Sequence, residues 1–179
     1  MRDRRRRTDP QASPTPTLVL LLASERKLDR RELEAAAERA YGSHFPGGDD
    51  AQEFVTGDNP FVVKVSGHLV LVTSAPNPVV DAPQEFAQAL ADPALRRRFG
   101  EHRAVLSFIC MHTPAKDERA TYTHMAKLVA ELVEDALLLY VEEFRGLVEV
   151  TSGLAARLRT EDVVAAVPEA FEPPKTVAL

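Results

Sequence analysis

Cysteine and tryptophan are all but missing from this chain, and glycine is sparse at 8 residues. Cys110 is the one cysteine in 179 residues, so no internal disulfide can form and no all-cysteine metal cage exists. Tryptophan is absent and aromatics make up 6% of the chain. That weighs against sugar stacking, aromatic cages and base-stacking platforms. No apolar run reaches the ~18 residues that span a bilayer. Thr17–Ala23 is too short, and no small-residue cleavage pattern follows it, so no secretory leader is read and the expected compartment is the cytoplasm. Catalytic signatures are missing too. There is no G-x-S-x-G elbow, H-E-x-x-H pair, phosphate-binding P-loop, G-x-G-x-x-G turn or C-x-x-C pair.

What is present is an ordinary apolar content of 45% and a net charge of −5 that hides an asymmetry. Met1–Pro16 holds five Arg and two Asp, a net +3, which leaves −8 for the rest. A body this acidic does not suit a nucleic-acid groove. Met1–Pro16 reads as a disordered Arg/Pro-rich tail. Residues 17–167 read as one domain and 168–179 as a loose C-terminal tail.

Thr17–Ala23 predicts a strand covered on both faces. Leu28–Gly42 predicts a helix, with Asp29 and Glu32 as a capping box and Gly42 as its stop. A short strand at Glu53–Thr56 precedes a hairpin of Phe61–Val65 and Leu69–Thr73, with Gly67 suited to a type II′ turn. Asp81 with Gln84, and Asp92 with Pro93, mark helix starts. His102–Met111 reads as a buried strand ending at His112. Thr113 or Asp117 then caps a long helix, Glu118 to about Glu134, with Met125, Leu128, Val129, Leu132 and Val133 inward. Ala136–Val141 and Gly146–Val150 read as strands, followed by short helices at Ser152–Arg159 and Glu161–Val167. Packing is expected between Val105 and Phe108 of the central strand and Leu128, Val129 and Leu132. The order implies an α+β two-layer sandwich. Its β-α-β-β type halves imply a mixed sheet with helices packed on it.

Gly100-Glu101-His102-Arg103-Ala104-Val105-Leu106-Ser107 looks like a Gly-His-x-Ala-x-Leu strand. It follows a hairpin with a proline exit (Leu69–Pro78) and a linking helix. It precedes a long helix and an apolar strand, Leu137–Val141. In this order the chain resembles, from about Thr17 to Val167, the bacterial domain of unknown function 4261 family. The resemblance implies a small cytoplasmic bacterial domain with no established activity. Here one residue separates Gly100 from His102, and the last strand reads LLLYVEE where the family tends to carry Trp and Gly.

Ligands collect where strands end beside helix starts, which brings forward His112, Lys116 and His124. Cys110 and His112 alternate by two and would share a face. With His124 they make a Cys/His/His set, but the spacing matches no zinc pattern, and neither metal nor cofactor is expected. Glu131, Glu134, Asp135, Glu142, Glu143 and Glu149 form an acidic stretch broken by Arg145. It reads as a solvated face with edge-strand charges, or as a surface for a partner; Glu131, Glu142 and Glu143 are its candidate contact residues. Ser107 reads as a packing residue. The expectation is a non-catalytic domain with no catalytic residue. It would be a protein-interaction, regulatory or immunity-like module whose partner is another protein, with neither nucleic acid nor membrane. The alternative is a small hydrolase-like enzyme with its site near His112 and His124.

Overall fold

The computed structural model describes residues 15–45 and 52–177. The expectation for Met1–Pro16 therefore falls almost wholly outside the described residues. β1 (Thr17–Leu22) is buried at every position, as its unbroken hydrophobicity predicts. α1 (Arg30–Tyr41) starts where the Asp29 carboxylate accepts from the Glu32 N–H at 2.8 Å. It stops at Gly42, whose φ of 68° favours glycine. β2 (Phe54–Gly57), β3 (Phe61–Val65) and β4 (His68–Ala75) follow as a meander. α2 (Pro83–Gln88) and α3 (Pro93–Glu101) lead to β5 (Ala104–His112) and α4 (Glu118–Ala130). β6 (Ala136–Val141), β7 (Gly146–Glu149), α5 (Leu154–Leu158), α6 (Val163–Ala166) and a 3-10 turn at Pro168–Phe171 complete it. No helix among the described residues is long and apolar enough to cross a membrane.

The strands form one sheet in the order β2-β3-β4-β5-β1-β6-β7. The α+β class is as the element order implies, but the expected mixed sheet is corrected: every neighbouring pair is antiparallel. The reason lies in β1. The crossover through α4 does join two strands that run the same way, β5 and β6. However, β1 is inserted between them and pairs antiparallel with both.

The two-layer picture holds for only part of the sheet. α1, α4, α5 and α6 share one core with the first face. α2 and α3 cover the second face over β1, β6 and β7, where Ala87, Leu90 and Phe99 meet Val19, Leu21, Leu138 and Leu147. Over β3, β4 and β5 the second face has no helix on it among the described residues. Val62, Lys64, Leu69, Leu71 and Ile109 are half-buried there, and Met111 is 62% exposed.

Several local expectations also change. Ser66 and Gly67 both have positive φ, 49° and 78°, so the β3–β4 turn has type I′ geometry rather than II′. Ala82, not Asp81, precedes α2, with no side-chain cap. Asp117, not Thr113, caps α4. Phe108 joins Leu128, Val129 and Leu132 in the first core, whereas Val105 packs against the second. Residues 168–177, read as loose, hold Ala170 in the core and tie back to the end of α2. There the Ala91 N–H donates to the Lys175 carbonyl at 2.8 Å and the Val177 N–H to the Ala89 carbonyl at 2.9 Å.

Candidate functional site

The residues expected to share a site lie in separate places. His112 sits opposite Leu69, while Cys110 sits opposite Val70. A register shift between Leu69 and Val70 inserts Met111 as an extra residue and breaks the alternation. Cys110 therefore faces the helices and His112 ends the bare strip. The sequence reading, which put both on one face, had no signal for this bulge. The Cys110 thiol donates to the His112 carbonyl at 3.3 Å, and burial raises its pKa. Among the described residues no group of three His, Cys, Asp or Glu side chains could hold a metal ion.

His124 belongs to a column of rings that joins α1, α4 and the β3–β4 hairpin. Its imidazole stacks on Tyr41, with centroids 4.6 Å apart, and on His68 at 3.6 Å. The Tyr41 hydroxyl donates to the His124 carbonyl at 3.1 Å. The Nε2 atoms of His68 and His124 are buried without a hydrogen-bond partner among the described residues. Burial, and then the neighbouring His68 and Lys127, pull the His124 pKa down to about 3. Burial lowers His68 as well. Both rings are neutral near pH 7.

Lys116 and Glu143 do come together. With Glu118, Thr113 and Thr121 they line a cleft of about 330 Å³ at the start of α4. Glu143 Oε2 accepts from the Tyr122 hydroxyl at 3.0 Å. A hydrogen bond with Glu143, then burial, then the charges of Glu143 and Asp117 push Glu118 up to about 6. A neighbouring carboxylate disfavours a second negative charge, so Glu118 keeps its proton to a higher pH. Sequence reasoning placed Glu118 only at the start of the long helix and missed the pair, because its members lie on different elements.

Glu131 is not solvated. Its side chain is 8% exposed and accepts from Arg39 Nε and Arg159 Nε, each at 2.8 Å. Burial raises its pKa, but the bonds from Arg159 and Arg39 outweigh burial and hold it low. Arg98 pairs with Glu149 at 3.3 Å. Glu131 and Glu149 are thus matched by arginines from α1, α3 and the end of α5, which no local pattern reveals. Glu142 lies exposed in the β6–β7 turn.

The bare strip is continuous. Leu71 pairs with Val62 on one side and Ile109 on the other, and Leu69 pairs with Lys64 and His112. The Lys64 ammonium lies 5.7 Å from the centroid of the Phe54 ring on β2. No family model, no curated protein and no solved structure matches this chain.

Proposed function

We propose that the domain is a non-catalytic protein-interaction module and that it docks through the bare half of the sheet's second face. One observation carries this reading. α2 and α3 cover the second face over β1, β6 and β7, yet among the described residues no helix lies beside them over Val62, Leu69, Leu71 and Ile109, which are half-buried, and the 62%-exposed Met111. Contiguous apolar surface of this kind, rimmed by polar groups, marks interaction sites. Charge sets the partner's chemistry. Lys64 lies on the strip, and in the sequence the five arginines of residues 2–7 precede Pro16, whose carbonyl accepts from the Cys110 N–H next to Met111 at 3.0 Å. The occupant is an apolar protein segment that carries acidic residues. A bacterial, cytoplasmic, regulatory or immunity-like role belongs to the same proposal. So does membership of the 4261 family, which rests on the Gly100–Ser107 segment and the order of elements.

A peptide array tests it with apolar segments flanked by Asp and Glu, or by Lys and Arg. The acidic set should bind, weaken with salt, and fall at least ~10-fold on Met111→Asp, an exposed site that leaves the core intact. Equal binding of the basic set, or indifference to Met111→Asp, would overturn the proposal.

The Glu118–Glu143 pair supports a second reading, a small hydrolase that acts in the cleft beside Lys116. A carboxyl poised near pH 6 suits general acid–base work. Turnover of a generic ester or glycoside that inflects near pH 6 and is lost on Glu118→Gln would favour it; no turnover across the panel would reject it.

A further inference from the structure

A second concavity lies on the same face, away from the strip. α2, α3, the β6–β7 hairpin and the C-terminal segment enclose a cleft of about 570 Å³, within the ~300–1,000 Å³ common for small-molecule sites. Its floor is Tyr140 and Leu147, paired across β6 and β7. Phe86, 61% exposed, and Leu90 form a wall from α2.

The other walls are pinned. His102 is fully buried and joins α3 to the loop at Val79. Its Nδ1 donates to the Phe99 carbonyl and its Nε2 accepts from the Val79 N–H at 3.1 Å. The imidazole is therefore neutral, and burial lowers its pKa further. Across the cleft, Pro173 and Pro174 belong to the segment tied to the end of α2. The cleft is thus held open by hydrogen bonds at both sides rather than by loose loops.

Polar groups converge at the mouth. Arg145 stands in the turn with φ 53°, a left-handed conformation uncommon outside glycine. Among the described residues its guanidinium pairs with no carboxylate. Tyr140 lines the same cleft, and its hydroxyl lies within the electrostatic reach of Arg145. Burial and then Glu142 raise the pKa of that hydroxyl while Arg145 lowers it, so at neutral pH it is a donor. Glu142 lies on the same rim.

We propose that this cleft binds a small apolar carboxylic acid. Its body would rest on Tyr140, Leu147, Phe86 and Leu90, and its carboxylate on Arg145 with the Tyr140 hydroxyl as second donor. An apolar lining with Arg145 as the one cation among its described residues calls for an apolar body and an anionic head, and Arg is the side chain best shaped for a carboxylate. Glu142 narrows the choice to a singly charged head, because a dianion would meet its repulsion.

Calorimetric titration of the full chain with octanoate, octanol and octyl phosphate tests this. Octanoate should bind at least ~10-fold tighter than either of the others, the gain of a charge-assisted hydrogen bond. Arg145→Asn keeps a residue that tolerates positive φ and should bring octanoate down to octanol. Amide shifts on octanoate addition should centre on Tyr140 and Leu147. Absence of octanoate binding, equal affinity for octanol in the unaltered chain, a preference that survives Arg145→Asn, or shifts centred on the β3–β5 strip would each overturn the proposal.

Discussion

Two stacked imidazoles, His68 buried and His124 half-buried, shape the pH response of this fold. His124 keeps its neutral form down to about pH 3 in the folded chain, whereas an unfolded histidine takes a proton near 6.5. Below about pH 6.5 the unfolded state therefore binds more protons, and stability falls as pH drops toward 3. Each pH unit removes at most ~1.4 kcal/mol per histidine, and less here because water screens a half-buried ring. Urea unfolding between pH 7 and 4.5 should show this loss. His124→Phe should preserve the stack and flatten the curve, and an unchanged slope would contradict the account. Glu131 is a second residue whose role the structure changes. Glu131→Ala should cost ~1–2 kcal/mol, since it frees two guanidiniums at 2.8 Å from a nearly buried carboxylate; a denaturation midpoint within error of the unaltered chain would restore the solvated reading. Neither residue was legible in the sequence. His124 and Glu131 read as face residues of one helix, and their partners Tyr41, His68, Arg39 and Arg159 lie far along the chain. By contrast, Asp29 with Glu32, and Gly42, were legible because a helix start and stop depend on neighbours a few residues away.

At the level of elements, the packing of α4 on the sheet carries the first core. Leu128 is fully buried among Phe108, Val129 and Leu132. Leu128→Ala should cost ~2–5 kcal/mol in chemical denaturation; a tolerant site would mean that α4 is turned. The C-terminal segment depends on a glycine that the sequence alone did not single out. A Cβ at Gly146 would lie 1.8 Å from the Ala170 carbonyl oxygen, a backbone atom that cannot swing aside. Gly146→Ala should destabilise by ~1–3 kcal/mol and open residues 168–177 to limited proteolysis; unchanged protection of that segment would contradict the close approach. Strands and helices showed in the sequence through their periods, so β1, β4, β5, β6 and α4 appear close to where periodicity puts them. The insertion of β1 between β5 and β6 did not show, because strand neighbours are chosen by long-range packing that no local pattern encodes.

For the whole molecule, the decisive feature is the unequal covering of one sheet. Among the described residues, seven strands carry helices on one face and on part of the other, which leaves an apolar strip. The sequence hinted at it only weakly, since alternation in β3, β4 and β5 is apolar on both sides. Of the acidic stretch that sequence reading offered as the docking face, Glu131 is held by Arg39 and Arg159 and Glu149 by Arg98. The strip, with Lys64 on it, is the surface we propose for a partner. Backbone amide shift mapping of the full chain with an apolar, acidic peptide tests this most directly. The expected result is a footprint on Val62, Lys64, Leu69, Leu71, Ile109 and Met111 that disappears with Met111→Asp while the rest of the spectrum stays folded. A footprint on the cleft of Lys116, Glu118 and Glu143, or one on the strip residues that persists in Met111→Asp, would contradict it.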